Sequence, residues 1–200
     1  MNFLAHIYLS GNNEMLRIGN FMADHIKGRK YKNYEEEVQK GILLHRQIDS
    51  YTDQHAIVRK SKKRLDNKYG LYRGVVIDIF YDHMLAKNWS NYTQVPLPVF
   101  AKSFYSDLEK HREILPEKVQ YMMKYMIPND WLTNYAHING IERVLIGMNR
   151  RTGGESKMDE AILDLNQNYL DIEDDFTAFF EELRSFCTLK VIEIDQDFNK

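Results

Sequence analysis

The sequence predicts an all-α fold, on three observations. Apolar residues recur every three or four positions through most of the chain, and strand-like alternation is scarce. The stretch Gly74 to Trp89, wound at about 100° per residue, is apolar nearly all round. Such a helix belongs in the middle of a domain. With 200 residues, 44% of them hydrophobic, the chain suffices for one buried core and is short for two. A single helical domain over residues 1–200 is expected.

In chain order, Phe3 to Leu9 is apolar apart from His6 and reads as a short buried segment. Asn12 or Asn13 can cap the next helix, Glu14 to Ile26, whose Met15, Ile18, Met22 and Ile26 share a face. Asp24 stands near its C-terminal end, where a carboxylate opposes the helix dipole and needs a partner. Gly28 can terminate that helix. Another is expected from Tyr34 to Asp53, continuing after a bend to Lys68, where Asn67 and Gly70 close it. Within it His45, Arg46, Asp49 and Asp53 share a narrow arc. His45 and Asp49, one turn apart, have the spacing of metal ligands, and a solvated face is the alternative.

Leu71 opens the central helix, which sets Asp78 and Asp82 on one side with Val75, Ile79 and Trp89. A buried carboxylate must be compensated, by a cation from a neighbouring helix or by a divalent metal. Pro98 suits the first turn of a helix to about Glu113, Pro116 and Pro128 punctuate two further segments, and Asn129 or Asp130 can cap the short stretch from Trp131. Asn139 to Met148 is amphipathic and Thr152-Gly153-Gly154 is the clearest hinge. Ser156 and Asp159 suggest a capping box for a last long helix, with Met158, Ile162, Leu165, Tyr169, Ile172, Phe176, Phe179, Leu183 and Phe186 as a seam. That seam packs on the chain's own bundle or forms a homodimer. Val191 to Ile194 reads as a short extended piece.

Composition excludes several classes. Net charge near −2 gives no general demand for nucleic acid, and no apolar run approaches the roughly 20 residues of a membrane span. One cysteine, Cys187, supplies neither a disulfide framework nor a thiolate cluster, which fits a reducing cytoplasm. Basic residues gather at Lys27 to Lys32 and Arg59 to Arg64, and acidic ones between Glu155 and Glu182. These runs are solvated faces or a docking surface for an acidic partner.

Four motifs taken together are more specific. MNFLAH at the start, GNFMADHIKG from Gly19, GILLHRQIDSYTD from Gly41 and DIFYDHMLAKNW from Asp78 resemble the acyl carrier protein phosphodiesterase family. The resemblance implies hydrolysis of the phosphodiester that joins 4′-phosphopantetheine to a serine of holo acyl carrier protein, with Mn²⁺ or Mg²⁺. It also implies a divergent relation to the HD phosphohydrolases, although no His stands directly before an Asp and the pair Asp82-His83 is inverted. On this reading Asp24, His45, Asp49, Asp78 and Asp82 are in or beside the metal shell. Arg46 would hold non-bridging oxygens, and His83 or His6 would protonate the leaving serine. Arg29, Lys30 and Lys32 would steer the acidic carrier protein. The alternatives are a metal phosphohydrolase for another phosphodiester or a nucleotide, and a non-catalytic helical module that binds an acidic partner.

Overall fold

The computed structural model describes residues 1–199, which are helical with no strand among them. Eleven α-helices follow in order: α1 Phe3–Leu9, α2 Glu14–Met22, α3 Glu36–Gln54, α4 Ala56–Arg64, α5 Arg73–Lys87, α6 Leu97–Lys110, α7 Glu117–Met126, α8 Trp131–Asn134, α9 Ile138–Arg151, α10 Ala161–Gln167 and α11 Tyr169–Phe198. Short 3₁₀ turns join several of them, including Ala23–His25 and Gly28–Asn33 between α2 and α3.

Helix α5 is central. Val76, Ile77, Ile79, Phe80, Tyr81, Met84 and Leu85 are all buried, as an apolar circumference requires. Asp82 on the same helix is fully buried too, and among the described residues no cationic side chain pairs with it. Its carboxylate accepts from the backbone N–H groups of Leu4, at 2.7 Å, and Ala5, at 3.2 Å. These are donors in the first turn of α1, which Asn2 leaves uncapped by its own side chain. Asp82 is thus an N-cap supplied from another helix, and it fixes α1 on α5. Burial pushes its carboxyl up to about 7, against the lowering effect of the two N–H groups.

Helices α2 and α3 meet at backbone distance. A Cβ at Gly19 would lie 2.3 Å from the Val38 carbonyl oxygen, and one at Gly41 would lie 2.2 Å from that of Leu16. No side chain larger than hydrogen fits at either position. Asn13 caps α2, its side chain accepting from Leu16 N–H.

The structure moves several expected boundaries. Helix α2 stops at Met22, leaving Asp24 in a 3₁₀ turn instead of at a helix end. The bend after α3 falls at His55, whose extended backbone ends one helix and whose ring caps the next by accepting from Ile57 N–H. Leu71 lies in the turn before α5, 99% exposed. Ser156 does not begin a helix: it is buried, its hydroxyl on Asn149 Oδ1 and Thr152 Oγ1. The long terminal helix breaks at Asn168 into α10 and α11, and Val191 to Ile194 is helical within α11. Ile172, Phe176, Phe179 and Leu183 of the seam are fully covered by the chain itself.

The Gly41→Ala substitution is expected to destabilise the protein by about 1–3 kcal/mol through overpacking. Gly74→Ala in the first turn of α5 would meet only the flexible end of Lys62, at 3.4 Å, and should be neutral or stabilising by up to about 1 kcal/mol. Urea unfolding of both variants checks the pair, and equal midpoints would contradict the close approach.

A histidine and carboxylate cluster in a polar cleft

The site begins with an amide. Asn20 on α2 is fully buried, held where the glycine contact brings α2 against α3. Its Nδ2 donates to the carbonyl oxygen of His6 and to Ser10 Oγ, at 3.1 and 2.9 Å. That fixes the amide orientation and turns Oδ1 toward two imidazoles. His6 Nδ1 lies 2.8 Å from this oxygen and His45 Nδ1 lies 3.2 Å from it. An amide oxygen only accepts, so both histidines carry a proton on Nδ1. Their rings stack with centroids 4.1 Å apart, and both Nε2 atoms face Asp49.

Carboxylates meet those nitrogens. Asp49 on α3 places Oδ1 3.2 Å from His6 Nε2 and Oδ2 3.0 Å from His45 Nε2. Asp24 Oδ1 is 3.2 Å from His45 Nε2. The His6 contact is close but not aligned as a hydrogen bond, so His6 Nε2 is a buried nitrogen without a hydrogen-bond partner among the described residues. A neutral imidazole presents a lone pair there, and a lone pair facing a carboxylate is repulsive. A cation placed among His6, His45 and Asp49 removes that repulsion, and ligand atoms of all three lie within 4.8 Å of one another. The residues therefore fit a divalent ion.

Charge follows the geometry. Burial opposes the charged form of His45, but the bonds to Asp24 and Asp49 outweigh it and raise its pKa to about 9. Burial and the neighbouring His45 hold His6 below its ordinary value. Burial alone would raise Asp49, yet its bond to the His45 imidazole holds its carboxyl well below the usual range. Asp24 is lowered chiefly by its bond to His45.

The cluster opens on a cleft of about 300 Å³ lined by Asp24, His45, Asp49, Thr52, Asp53 and Asp78 among others. Asp78 Oδ1 is 3.0 Å from the Met1 ammonium, which serves as its cationic partner. Other expected site residues lie elsewhere. Asp82 is fully buried with both oxygens on the backbone of α1, and it does not line the cleft. Arg46 donates to the carbonyl oxygens of Ile26 and Gly28 and lies over the Tyr31 ring, so it straps the basic turn to α3 instead of facing the cleft. His83 is buried with Nδ1 on the Tyr135 carbonyl and Nε2 on the Tyr169 hydroxyl. Both its nitrogens are committed, which removes it as a proton donor at the cleft.

Of the basic residues, Arg29, Lys30 and Lys32 are exposed on the turn Gly28–Asn33, and no ion pair engages them among the described residues. The second basic run is different. Lys60 and Arg64 pair with Asp175, Arg64 also with Asp171, and Lys62 with Asp53, so much of that run neutralises the acidic last helix and the rim of the cleft.

Two residues escaped the sequence reading although both lie inside quoted motifs. Asn20 carried one signal, an amide among the apolar positions of a buried helix, which must find partners. Thr52 lines the cleft with a buried hydroxyl that has no hydrogen-bond partner among the described residues. Nothing in its spacing distinguished it.

Comparison with known proteins adds a family. The model described as acyl carrier protein phosphodiesterase matches residues 1–183. Proteins of that name from Photorhabdus laumondii and Pectobacterium atrosepticum are 34% and 30% identical, covering 90% and 92% of this chain and 91% and 95% of their own. One from Salmonella agona is 26% identical over 96% of this chain and 100% of its own. No solved structure matches at a significant level.

For the protein in chelator, the raised pKa of His45 sets a pH dependence. Its protonated form stabilises the fold fully below the ordinary value of 6.5, and the contribution is lost as pH rises through about 9. The melting temperature should fall across that window, and His45→Asn should flatten the fall. A wild-type curve that is level from pH 6.5 to 9 would contradict the ion-pair geometry.

Proposed function

The chain belongs to the acyl carrier protein phosphodiesterase family, and on that premise we propose that it hydrolyses the phosphodiester between 4′-phosphopantetheine and a serine of holo acyl carrier protein. The products are apo acyl carrier protein and 4′-phosphopantetheine. The observation that carries the reading is the pair of Nε2 atoms which Asn20 turns together onto Asp49, at the wall of an open polar cleft.

His6, His45 and Asp49 would hold a divalent ion, Mn²⁺ or Mg²⁺, with Asp24 beside them. Bound there, the ion supplies Lewis-acid polarisation of a phosphoryl oxygen and lowers the pKa of water. The chain's own groups do the rest. Asp24, 67% exposed at the mouth, is placed to orient the attacking water. The unpaired Thr52 hydroxyl is available to donate to a non-bridging oxygen. Water's hydroxyl would go to phosphorus as the bond from phosphorus to the serine oxygen breaks, and the proton that water gives up, taken by Asp24, would pass to that serine oxygen. Asn20 would hold both Nδ1–H groups and so keep both Nε2 atoms aimed at that site throughout. Two histidines and two aspartates gathered from separate helical segments also support a divergent relation to the HD phosphohydrolases, without a His-Asp sequence pair.

Arg29, Lys30 and Lys32 would meet the acidic carrier protein. Unpaired and exposed on a turn strapped down by Arg46, they can raise the association rate without entering the chemistry.

Intact mass spectrometry of holo acyl carrier protein, incubated with the enzyme and Mn²⁺ beside an EDTA control, tests the reading. Metal-dependent conversion to the apo mass is expected, with a loss of about 10³-fold or more in Asp49→Asn. In the same assay, changing Arg29, Lys30 and Lys32 to Glu should lower kcat/KM at low salt by about tenfold and leave kcat nearly unchanged. No conversion with metal bound would refute the substrate, and conversion in EDTA would refute the metal.

A further inference from the structure

Beside the cleft lies a second pocket, of about 220 Å³. The two share Asn2 and Met148, so one wall serves both. Their chemistry differs sharply. The cleft is bordered by Asp24, Asp49, Asp53 and Asp78, whereas the pocket has Phe3, Trp131, Tyr135 and Val144 and contains no carboxylate. The proposed hydrolysis uses the cleft and leaves the pocket without a task.

A phosphodiester held in the cleft has two substituents to place. One is a serine on the surface of a folded protein, which a 220 Å³ pocket cannot admit. The other is a narrow, flexible arm with a geminal dimethyl group near the phosphate, then two amides separated by short alkyl links, then a thiol. The pocket matches that order of chemistry. Met148 on the shared wall and Val144 one turn earlier offer an apolar surface next to the phosphate position. The Asn2 side chain is half-buried at the same wall. Its Nδ2 donates to the Tyr135 hydroxyl at 3.3 Å, and its carboxamide oxygen has no partner among the described residues, leaving it to accept an amide N–H. Arg143 forms no ion pair among the described residues; its one hydrogen bond, to Asn134 Oδ1, is long at 3.4 Å, which leaves guanidinium donors for an amide carbonyl.

Resting on the proposed hydrolysis, we propose that this pocket holds the pantetheine arm of the substrate. Recognition is then divided. The basic turn after Asp24 meets the protein, the cleft holds the phosphate, and the pocket of Asn2, Trp131, Val144 and Met148 selects the prosthetic group. A phosphodiester of similar charge but without such an arm would lose the contribution of the pocket.

Gly147 provides the test. It lines the pocket on α9, and a Cβ there would meet nothing within 4 Å, so Gly147→Leu fills the pocket from a backbone that tolerates it. Val144→Phe fills the same space from the preceding turn and is the second variant. Free pantetheine, which carries no phosphate and needs no metal, is titrated calorimetrically into the full-length protein in EDTA. Each variant is first checked for its melting temperature and for Mn²⁺ stoichiometry. Binding to the wild type, weakened about tenfold or more by both folded variants, with a matching rise in KM for holo acyl carrier protein, is the expected result. Unchanged affinity in the filled variants would overturn the proposal, as would hydrolysis of holo acyl carrier protein by an enzyme that does not bind pantetheine. Failure of the wild type to convert holo acyl carrier protein at all would defeat the proposed hydrolysis separately, and the pantetheine titration would still decide the pocket.

Discussion

The arrangement depends on the contact between α2 and α3 at Gly19 and Gly41. Because neither residue has a side chain, the two backbones approach closely enough for the Asn20 amide to sit between His6 and His45. One oxygen then accepts from two Nδ1–H groups, and the Nε2 edges of both rings face Asp49. Such an array is electrostatically unsatisfied unless a proton or a cation enters it. The raised pKa of His45 is the proton's answer, and the fit of three ligand atoms within 4.8 Å is the cation's. Overpacking at either glycine would act on chemistry through geometry, with no catalytic group removed.

A second constraint locates His6. Helix α1 has only seven residues, too few to be stable alone, and its exposed N–H donors need acceptors. Asp82 supplies both oxygens from the central helix, and Ser10 Oγ closes the other end by donating to the His6 carbonyl. The burial of a carboxylate in α5 therefore holds a histidine in place from the far side of α1. The cluster is assembled from α1, α2, the turn after it and α3, with α5 as the anchor.

The all-α class was legible from periodicity, and the central helix from its apolar circumference, because both depend on burial patterns that local sequence carries. Boundaries were less so. Ser156 has the local signature of a cap, but tertiary contacts with Asn149 and Thr152 claimed its hydroxyl. Asn168 broke the last helix inside an unbroken apolar seam. At the site, His45, Asp49 and Asp24 announced themselves through spacing and through a carboxylate near a helix end. Asp82, His83 and Arg46 carried equal local signals and went to backbone or tyrosine partners, which spacing cannot reveal. Asn20 was the reverse case, a residue without reactive chemistry whose task exists only once α1, α2 and α3 are together.

The central claim is that Asn20 aims two imidazole nitrogens and a carboxylate at one cation. Electron spin-echo spectroscopy of the protein loaded with one equivalent of Mn²⁺ reads this directly. The account predicts ¹⁴N modulation from two coordinated histidines, reduced to one in His6→Gln, with Asn20→Leu weakening the coupling of both. A bound Mn²⁺ with only oxygen ligands and no imidazole modulation would contradict it.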